Sequence, residues 1–499
     1  MISKVITAAN IGYTGQLITI ECDSSNGLPG LLIVGLGNKA IEESKERIRS
    51  AVKNSGLDFP RKRITLNLAP ANLPKDGSGY DVPMAIAILA VSGQLSPSVL
   101  SDTLLIGELA LDGTLRPVNG VISSLETARN AGCRAAIIPA ANEPQAGLVE
   151  GITIFGAQSL KDIFNHFSHA ARLPEIRTRP KSFTPPRPAV HLEDISGQTQ
   201  VKRALVIAAA GHHNILLYGP PGSGKTMLAK ALSGILPQTS PEEIIAITKL
   251  HSLKGEVTDV VTTRPFRAPH HTASHIAMVG GGNPIGPGEV SLAHYGVLFL
   301  DELPEYTRTT LESLRQPLEE RQIAIARAQG RFIFPADFML IATQNPCPCG
   351  FLNDDTKECT CSQLQIANYA KRVSGPLLDR IDLFIKVGRV NQAHILNGET
   401  ATLTTDVARQ QVTSARQLQH RRFSNFTTTN AHLTRQQIKE RCQLTATAHD
   451  FLTKAAMNLD LSARSFIRII RVARTIADLD KSESIAVTHI SEALQYRQR

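Results

Sequence analysis

The 499-residue chain has no apolar run of about 18 residues, which excludes a membrane-spanning helix. Its first residues, Met1-Ile2-Ser3-Lys4-Val5-Ile6, lack an apolar core followed by a cleavage site. A cytoplasmic location is therefore expected. Low-complexity tracts and repeats of fixed period are missing, so neither a disordered tract nor a solenoid is indicated. Cysteine is sparse, with seven in all, yet four of them fall within 15 residues. That crowding argues for a metal rather than scattered disulfides. A hydrophobic content of 42% against 19% charged residues is globular. The net charge of +9 favours a polyanionic partner, though only weakly, because it is spread over a long chain.

What is present divides the chain. Ile176 to Pro188 holds four prolines and four basic residues with little to bury, and reads as an extended linker. Expected units are an N-terminal α/β domain over 1–172, a Pro/basic linker over 173–190, a nucleotide-binding core over 191–390 and a helical C-terminal part over 391–499. In that last part, Phe466, Ile469, Ile470, Val472, Ala473 and Ile476 recur at helical spacing between basic residues.

The most specific motif is Gly219-Pro220-Pro221-Gly222-Ser223-Gly224-Lys225-Thr226, a complete G-x-x-x-x-G-K-T loop. The apolar run Ile215-Leu216-Leu217-Tyr218 precedes it, and Leu228, Leu232, Ile235 and Leu236 follow on one helical face. Backbone N–H groups of such a turn, with the positive end of the following helix, cradle phosphates. Lys225 is expected to reach the β- and γ-phosphates of a nucleoside triphosphate, and Thr226 to offer its hydroxyl to Mg²⁺. Val297-Leu298-Phe299-Leu300 then ends in Asp301, a second Mg²⁺ contact, and Glu302, which would polarise the attacking water. A third apolar strand, Phe338 to Thr343, leads to Asn345, placed to orient that water. Arg380, within Leu377-Leu378-Asp379-Arg380, is a candidate arginine finger; a salt bridge to Asp379 or Asp382 is the competing reading.

This order of motifs resembles the AAA+ ATPases, and more narrowly their magnesium-chelatase-like branch. Arg264-Pro265-Phe266-Arg267-Ala268-Pro269-His270-His271 and Gly286-Pro287-Gly288-Glu289-Val290-Ser291-Leu292-Ala293-His294 are similar to signatures of that branch. With Asn345-Pro346-Cys347-Pro348-Cys349-Gly350 they resemble the competence-associated ComM/YifB family nearly end to end. The resemblance implies an α/β fold: an AAA+ P-loop core with a helical lid of the magnesium-chelatase C-terminal type, preceded by a Lon-protease-like α/β domain. It implies a ring, usually a hexamer, in which Arg380 acts on the neighbour's ATP. It also implies that Arg464 is the lid arginine contacting the γ-phosphate. Arg468 and Arg471 on the same helix compete for that role, and a basic solvated face is the plainer reading of all three.

Cys347, Cys349, Cys359 and Cys361 form C-x-C-x9-C-x-C within a zinc-binding insert over 347–361. Four thiolates can enclose one Zn²⁺ and leave no open position, so the expected role is structural; four reduced thiols in a loop is the alternative. In the N-terminal domain, Pro74-Lys75-Asp76-Gly77-Ser78-Gly79 resembles the segment that carries the Lon nucleophile, but Gly79 falls where the serine belongs. Val121-Ile122-Ser123-Ser124 offers no base lysine, so the domain is expected to be non-catalytic. Two segments could face a ring's pore: the glycine-rich stretch from Met278 to Val290, and a hairpin of Gln322–Arg327 and Arg331–Phe334 turning at Ala328-Gln329-Gly330. Arg327 and Arg331 are its candidate DNA contacts, although a hairpin that serves only ring assembly has the same pattern.

The expected activity is that of an ATP hydrolase that translocates on single-stranded and branched DNA. The resemblance sharpens this to a helicase driving branch migration in natural transformation and DNA recombination, with a recombinase as a possible partner. The alternative is a chelatase-type motor that remodels a protein.

Overall fold

A computed structural model describes residues 2–35, 39–73, 75, 77–177, 190–327, 330–354, 357–389, 403–423 and 428–497. Most of the expected linker, the tip of the hairpin at 328–329 and the boundary near 390 lie outside the described residues. The protein is a mixed α/β chain built on two large sheets. The first has seven strands, in the order Gly30–Val34, Arg63–Ala69, Thr14–Ser25, Ile2–Ile11, Thr103–Leu105, Ala135–Pro139 and Thr153–Ala157. Ile2–Ile11 and Thr14–Ser25 pair antiparallel around a tight turn, and the last three strands are parallel. Period-2 burial sends Val5, Ile18, Ile20, Ile64, Leu66 and Leu68 into one core, against helices Lys39–Asn54 and Asp81–Val91. Every residue of Asp81–Val91 is buried, Asp81 included. The Asp81 carboxylate is compensated by Arg47, whose Nε donates to it at 2.8 Å. Helix Val121–Asn130 covers the other face.

The second sheet has five parallel strands: Phe266–Arg267, Val297–Leu300, Met339–Gln344, Ile215–Tyr218 and Leu383–Lys386. Numbered in chain order, they run 2-3-4-1-5. The strand that precedes the glycine-rich loop is therefore interior, at the point where the strand order reverses, where open α/β sheets bind ligands. Alternation explains both faces. Ile215, Leu217, Val297, Phe299, Met339 and Ile341 join one core with helices Thr199–Gly211, Lys225–Ile235, Thr405–Phe423 and Ala463–Leu479. Leu216, Leu298, Leu300, Leu340 and Ala342 face a second core that contains Met278, Val290, Leu303 and Leu311. The C-terminal helices thus share the core of the glycine-loop helix.

The two sheets are tied together through helix Pro241–Lys254. Lys249 pairs with Glu126 at 2.5 Å, and the Gly120 N–H donates to Ser252 Oγ at 2.9 Å. The expected hairpin is present, Gln322–Arg327 paired with Gly330–Pro335, the second strand beginning one residue earlier than its apolar pattern suggests. Its Phe332 packs on the turn of the first sheet, where a Cβ at Gly12 would lie 3.4 Å from that side chain. The glycine-rich stretch is more ordered than a loop. Helix His275–Val279 leads into a short pair, Gly280–Gly281 with Gly286–Pro287, and then helix Glu289–Leu292. Its approach is close enough that a Cβ at Gly288 would meet the Gly280 nitrogen at 2.3 Å. Among the described residues no helix is long and apolar enough to cross a membrane.

Candidate nucleotide site

The glycine-rich loop turns from strand Ile215–Tyr218 into helix Lys225–Ile235, with Gly222 and Gly224 at φ 75° and 84°. That left-handed backbone is open to glycine at little cost. Ser223 Oγ closes the loop on the Pro220 carbonyl at 2.8 Å. Lys225, the first helical residue, is buried; its Nζ donates to the carbonyls of Gly219 (2.8 Å) and Pro220 (2.9 Å) and to Asn345 Oδ1 (3.2 Å). Burial lowers its pKa, and Asp301 and Glu302 partly oppose that. A cation poorly solvated and facing two carboxylates gains much from a phosphate ligand.

Thr226 Oγ1 lies 3.3 Å from Asp301 Oδ2, so a hydroxyl and a carboxylate converge as a Mg²⁺ site needs. The other Asp301 oxygen accepts from Thr343 Oγ1 at 2.5 Å, and that same hydroxyl accepts the Glu302 N–H at 2.9 Å. Thr343 therefore sets both acids, a role that its place in an apolar strand does not advertise. Glu302 is exposed and held at φ 53°, a conformation sparsely populated by non-glycine residues and concentrated at functional sites. The structure thus brings Lys225, Thr226, Asp301, Glu302 and Asn345 to one end of the five-stranded sheet.

Arg380 and Arg464 stand elsewhere, together. Arg380 Nη2 pairs with Glu319 Oε1 at 2.5 Å, and Arg464 Nη2 reaches the same oxygen at 3.4 Å. Arg464 Nη1 is also 3.8 Å from Asp379 Oδ2. Nothing in the sequence marks Glu319, one of two adjacent acids that end helix Arg315–Glu320. Arg468 and Arg471 are not a solvated basic face. Both are largely buried, donating to the carbonyls of Ile381 and Leu433 respectively, which occupies them structurally. Arg464, 63% exposed, is the most accessible arginine of the three, and its partners are the carboxylates of Glu319 and Asp379.

The four cysteines meet. Cys347 Sγ is 3.3 Å from Cys349 Sγ and 3.7 Å from Cys359 Sγ, and Cys349 Sγ is 3.6 Å from Cys359 Sγ. All four Sγ atoms lie within 4.8 Å of one another. Tetrahedral Zn–S bonds of about 2.3 Å place sulfurs about 3.8 Å apart, so the set fits one zinc ion. The cysteine knuckle rests on the nucleotide loop. Gly350, at φ 84°, approaches Pro221 so closely that a Cβ would sit 2.6 Å from its Cδ. On its other side Arg389 pairs with the Asp354 carboxylate at 3.1 Å.

Between the seven-stranded sheet and the hairpin with its neighbouring glycine-rich stretch lies a cleft of about 660 Å³, lined among others by Ser78, Glu108, Asn119, Asn283 and Arg327. Ser78 Oγ donates to the Glu108 carboxylate, and Lys75 Nζ, fully buried, donates to the Pro70 carbonyl. Arg327 and Arg331 are both exposed on the hairpin.

A parallel 2-3-4-1-5 sheet with this loop, two strand-end acids and a helical C-terminal part defines an AAA+-type P-loop ATPase. The family described as magnesium chelatase, subunit ChlI, matches residues 191–395, with further ChlI matches at 20–142 and, for its C-terminal part, at 402–497. The chain is 43% identical to the YifB protein of Escherichia coli strain K12, over 99% of this chain and 97% of that one. It is 44% identical to the competence protein ComM of Haemophilus influenzae, again over 99% and 97%. A Lon protease of Mycolicibacterium smegmatis is 30% identical over 139 residues, 27% of this chain and 18% of that one. The chain belongs to the magnesium-chelatase-like ComM/YifB family.

Proposed function

We propose that the protein is a ring-forming ATP hydrolase that translocates on DNA and promotes branch migration while transforming DNA is integrated by homologous recombination. The observation that carries the ATPase half is the convergence of Lys225, Thr226, Asp301, Glu302 and Asn345 at one sheet end. Lys225 and the loop amides bind the phosphates of ATP. Thr226 and Asp301 hold Mg²⁺, which neutralises phosphate charge. Glu302 takes the proton of the attacking water while Asn345 orients it. Arg380 and Arg464 lie apart from this group, bound to a shared carboxylate, which favours their action on the ATP of a neighbouring subunit in a ring, most simply a hexamer.

The DNA half is supported by the two exposed arginines of the hairpin, by the positive net charge and by the competence name of the Haemophilus influenzae relative. The sulfur spacing supports structural zinc in the knuckle. Ser78 bound to a carboxylate, with Lys75 turned to a backbone carbonyl, supports a tier that cuts no peptide bonds. A cytoplasmic site of action fits these substrates.

The test is turnover and unwinding on a forked duplex and a four-way junction. ATPase activity stimulated by both, falling steeply with salt, is expected. Turnover indifferent to DNA, with no unwinding, would overturn the reading and favour a motor that remodels a protein.

A further inference from the structure

Arg380 and Arg464 come from separate elements: one follows the short helix Gly375–Leu378, the other starts helix Ala463–Leu479. Both converge on a single oxygen, Glu319 Oε1. Arg380 is held firmly there. Its side chain is only 10% exposed, with Nη1 donating to the Pro376 carbonyl and Nη2 to Glu319. Yet its Nε is buried with no hydrogen-bond partner among the described residues, so the guanidinium is incompletely satisfied where it sits. An arginine so enclosed must leave its carboxylate before it can reach a phosphate on another subunit.

Glu319 is also placed to feel the hairpin. Helix Arg315–Glu320 ends one residue after it, Arg321 turns the chain at φ 55°, and strand Gln322–Arg327 begins. The Ala336 N–H closes the hairpin base on the Arg321 carbonyl at 2.8 Å. A load on the hairpin therefore reaches Glu319 through a bonded turn of two residues.

We propose that Glu319 is a positioning latch: it withholds Arg380 and Arg464 from the neighbouring subunit's ATP, and occupation of the hairpin by a DNA strand releases them. The latch rests on the trans-acting role of Arg380 given above. Release exchanges one anionic partner, the carboxylate, for another, the γ-phosphate, so both arginines stay charge-paired throughout.

The test is ATPase activity of the full chain with and without a single-stranded oligonucleotide, in Glu319→Gln, Glu319→Asp and Arg380→Ala. Glu319→Gln should raise turnover without DNA about fivefold, the scale of one partly exposed ion pair, and lower the ratio of DNA-stimulated to basal turnover by the same factor. Glu319→Asp, which keeps the charge, should retain the parental ratio. A parental ratio in Glu319→Gln, a proportional fall of both rates, or Glu319→Asp behaving as Glu319→Gln would overturn the latch. Arg380→Ala turning over as fast as the parent would instead overturn the trans-acting reading beneath it.

Discussion

Each of the two sheets presents a loop that resembles a catalytic one, and the surroundings of the two loops differ. On the five-stranded sheet Lys225 is bonded to Asn345 and feels the charges of Asp301 and Glu302, while Asp301 accepts from the hydroxyls of Thr226 and Thr343. On the seven-stranded sheet a serine is bonded to a carboxylate and the nearby lysine to a backbone carbonyl. Hydrogen-bond satisfaction does not separate the two loops, since Lys225 is itself bonded to two backbone carbonyls. What separates them is that Lys225 stands with Asn345, Thr226 and two acids at one sheet end, whereas Ser78 and Lys75 are each bonded to a different group.

The sharpest way to break this contrast is to remove the proposed base of the ATPase loop. Glu302→Gln should still bind ATP but turn over about 10²–10⁴-fold more slowly, measured by phosphate release. Near-normal turnover would remove Glu302 from its role. Next in size is the knuckle. Purified protein should contain one zinc per chain by metal analysis, and Cys359→Ser with Cys361→Ser should lose it together with most ATP affinity, because the knuckle bears on Pro221. Zinc-free protein with unchanged ATP affinity would sever that link.

Smaller still is the hairpin. Arg327→Ala with Arg331→Ala should weaken DNA binding regardless of sequence and lower the salt slope by about 2, one for each phosphate left without its arginine. A stability effect follows from two histidines near the join of core and C-terminal helices, His294 buried and His432 half-buried. Burial pulls the pKa of His294 down to about 4 and of His432 to about 3. Both rings are then neutral in the folded chain while the unfolded chain protonates them below about pH 6.5. Stability should be full above that pH and fall towards pH 4, by up to about 1.4 kcal/mol per unit of pH for each ring, read by denaturant melts. A flat profile from pH 7 to 4 would show that these rings titrate normally. The smallest effect belongs to the other loop: Ser78→Ala should leave ATP turnover unchanged, and casein cleavage that vanished in that variant would restore the serine to catalysis.

Much of the ATPase site was legible because its motifs are contiguous and each sits at a strand end that apolar runs announce. Lys225, Thr226, Asp301, Glu302 and Asn345 were all readable in that way. Thr343 and Glu319 were not: a threonine inside an apolar strand and one of two neighbouring glutamates carry no local signal, and their roles exist only once distant segments meet. The burial of Arg468 and Arg471 was hidden for the same reason. Basic residues interleaved with apolar ones look like a wet face until carbonyls from other segments are found to receive them. The alternation of the hairpin was plain, but its packing against Gly12 depends on a turn about 320 residues away.

The contact of Gly350 with Pro221 has an evolutionary consequence. A methyl group at the first position would have to share volume with the ring at the second, in a backbone conformation that already disfavours it. Substitution at 350 is therefore barred while proline stands at 221, and relatives that depart from glycine there should have altered both positions in concert.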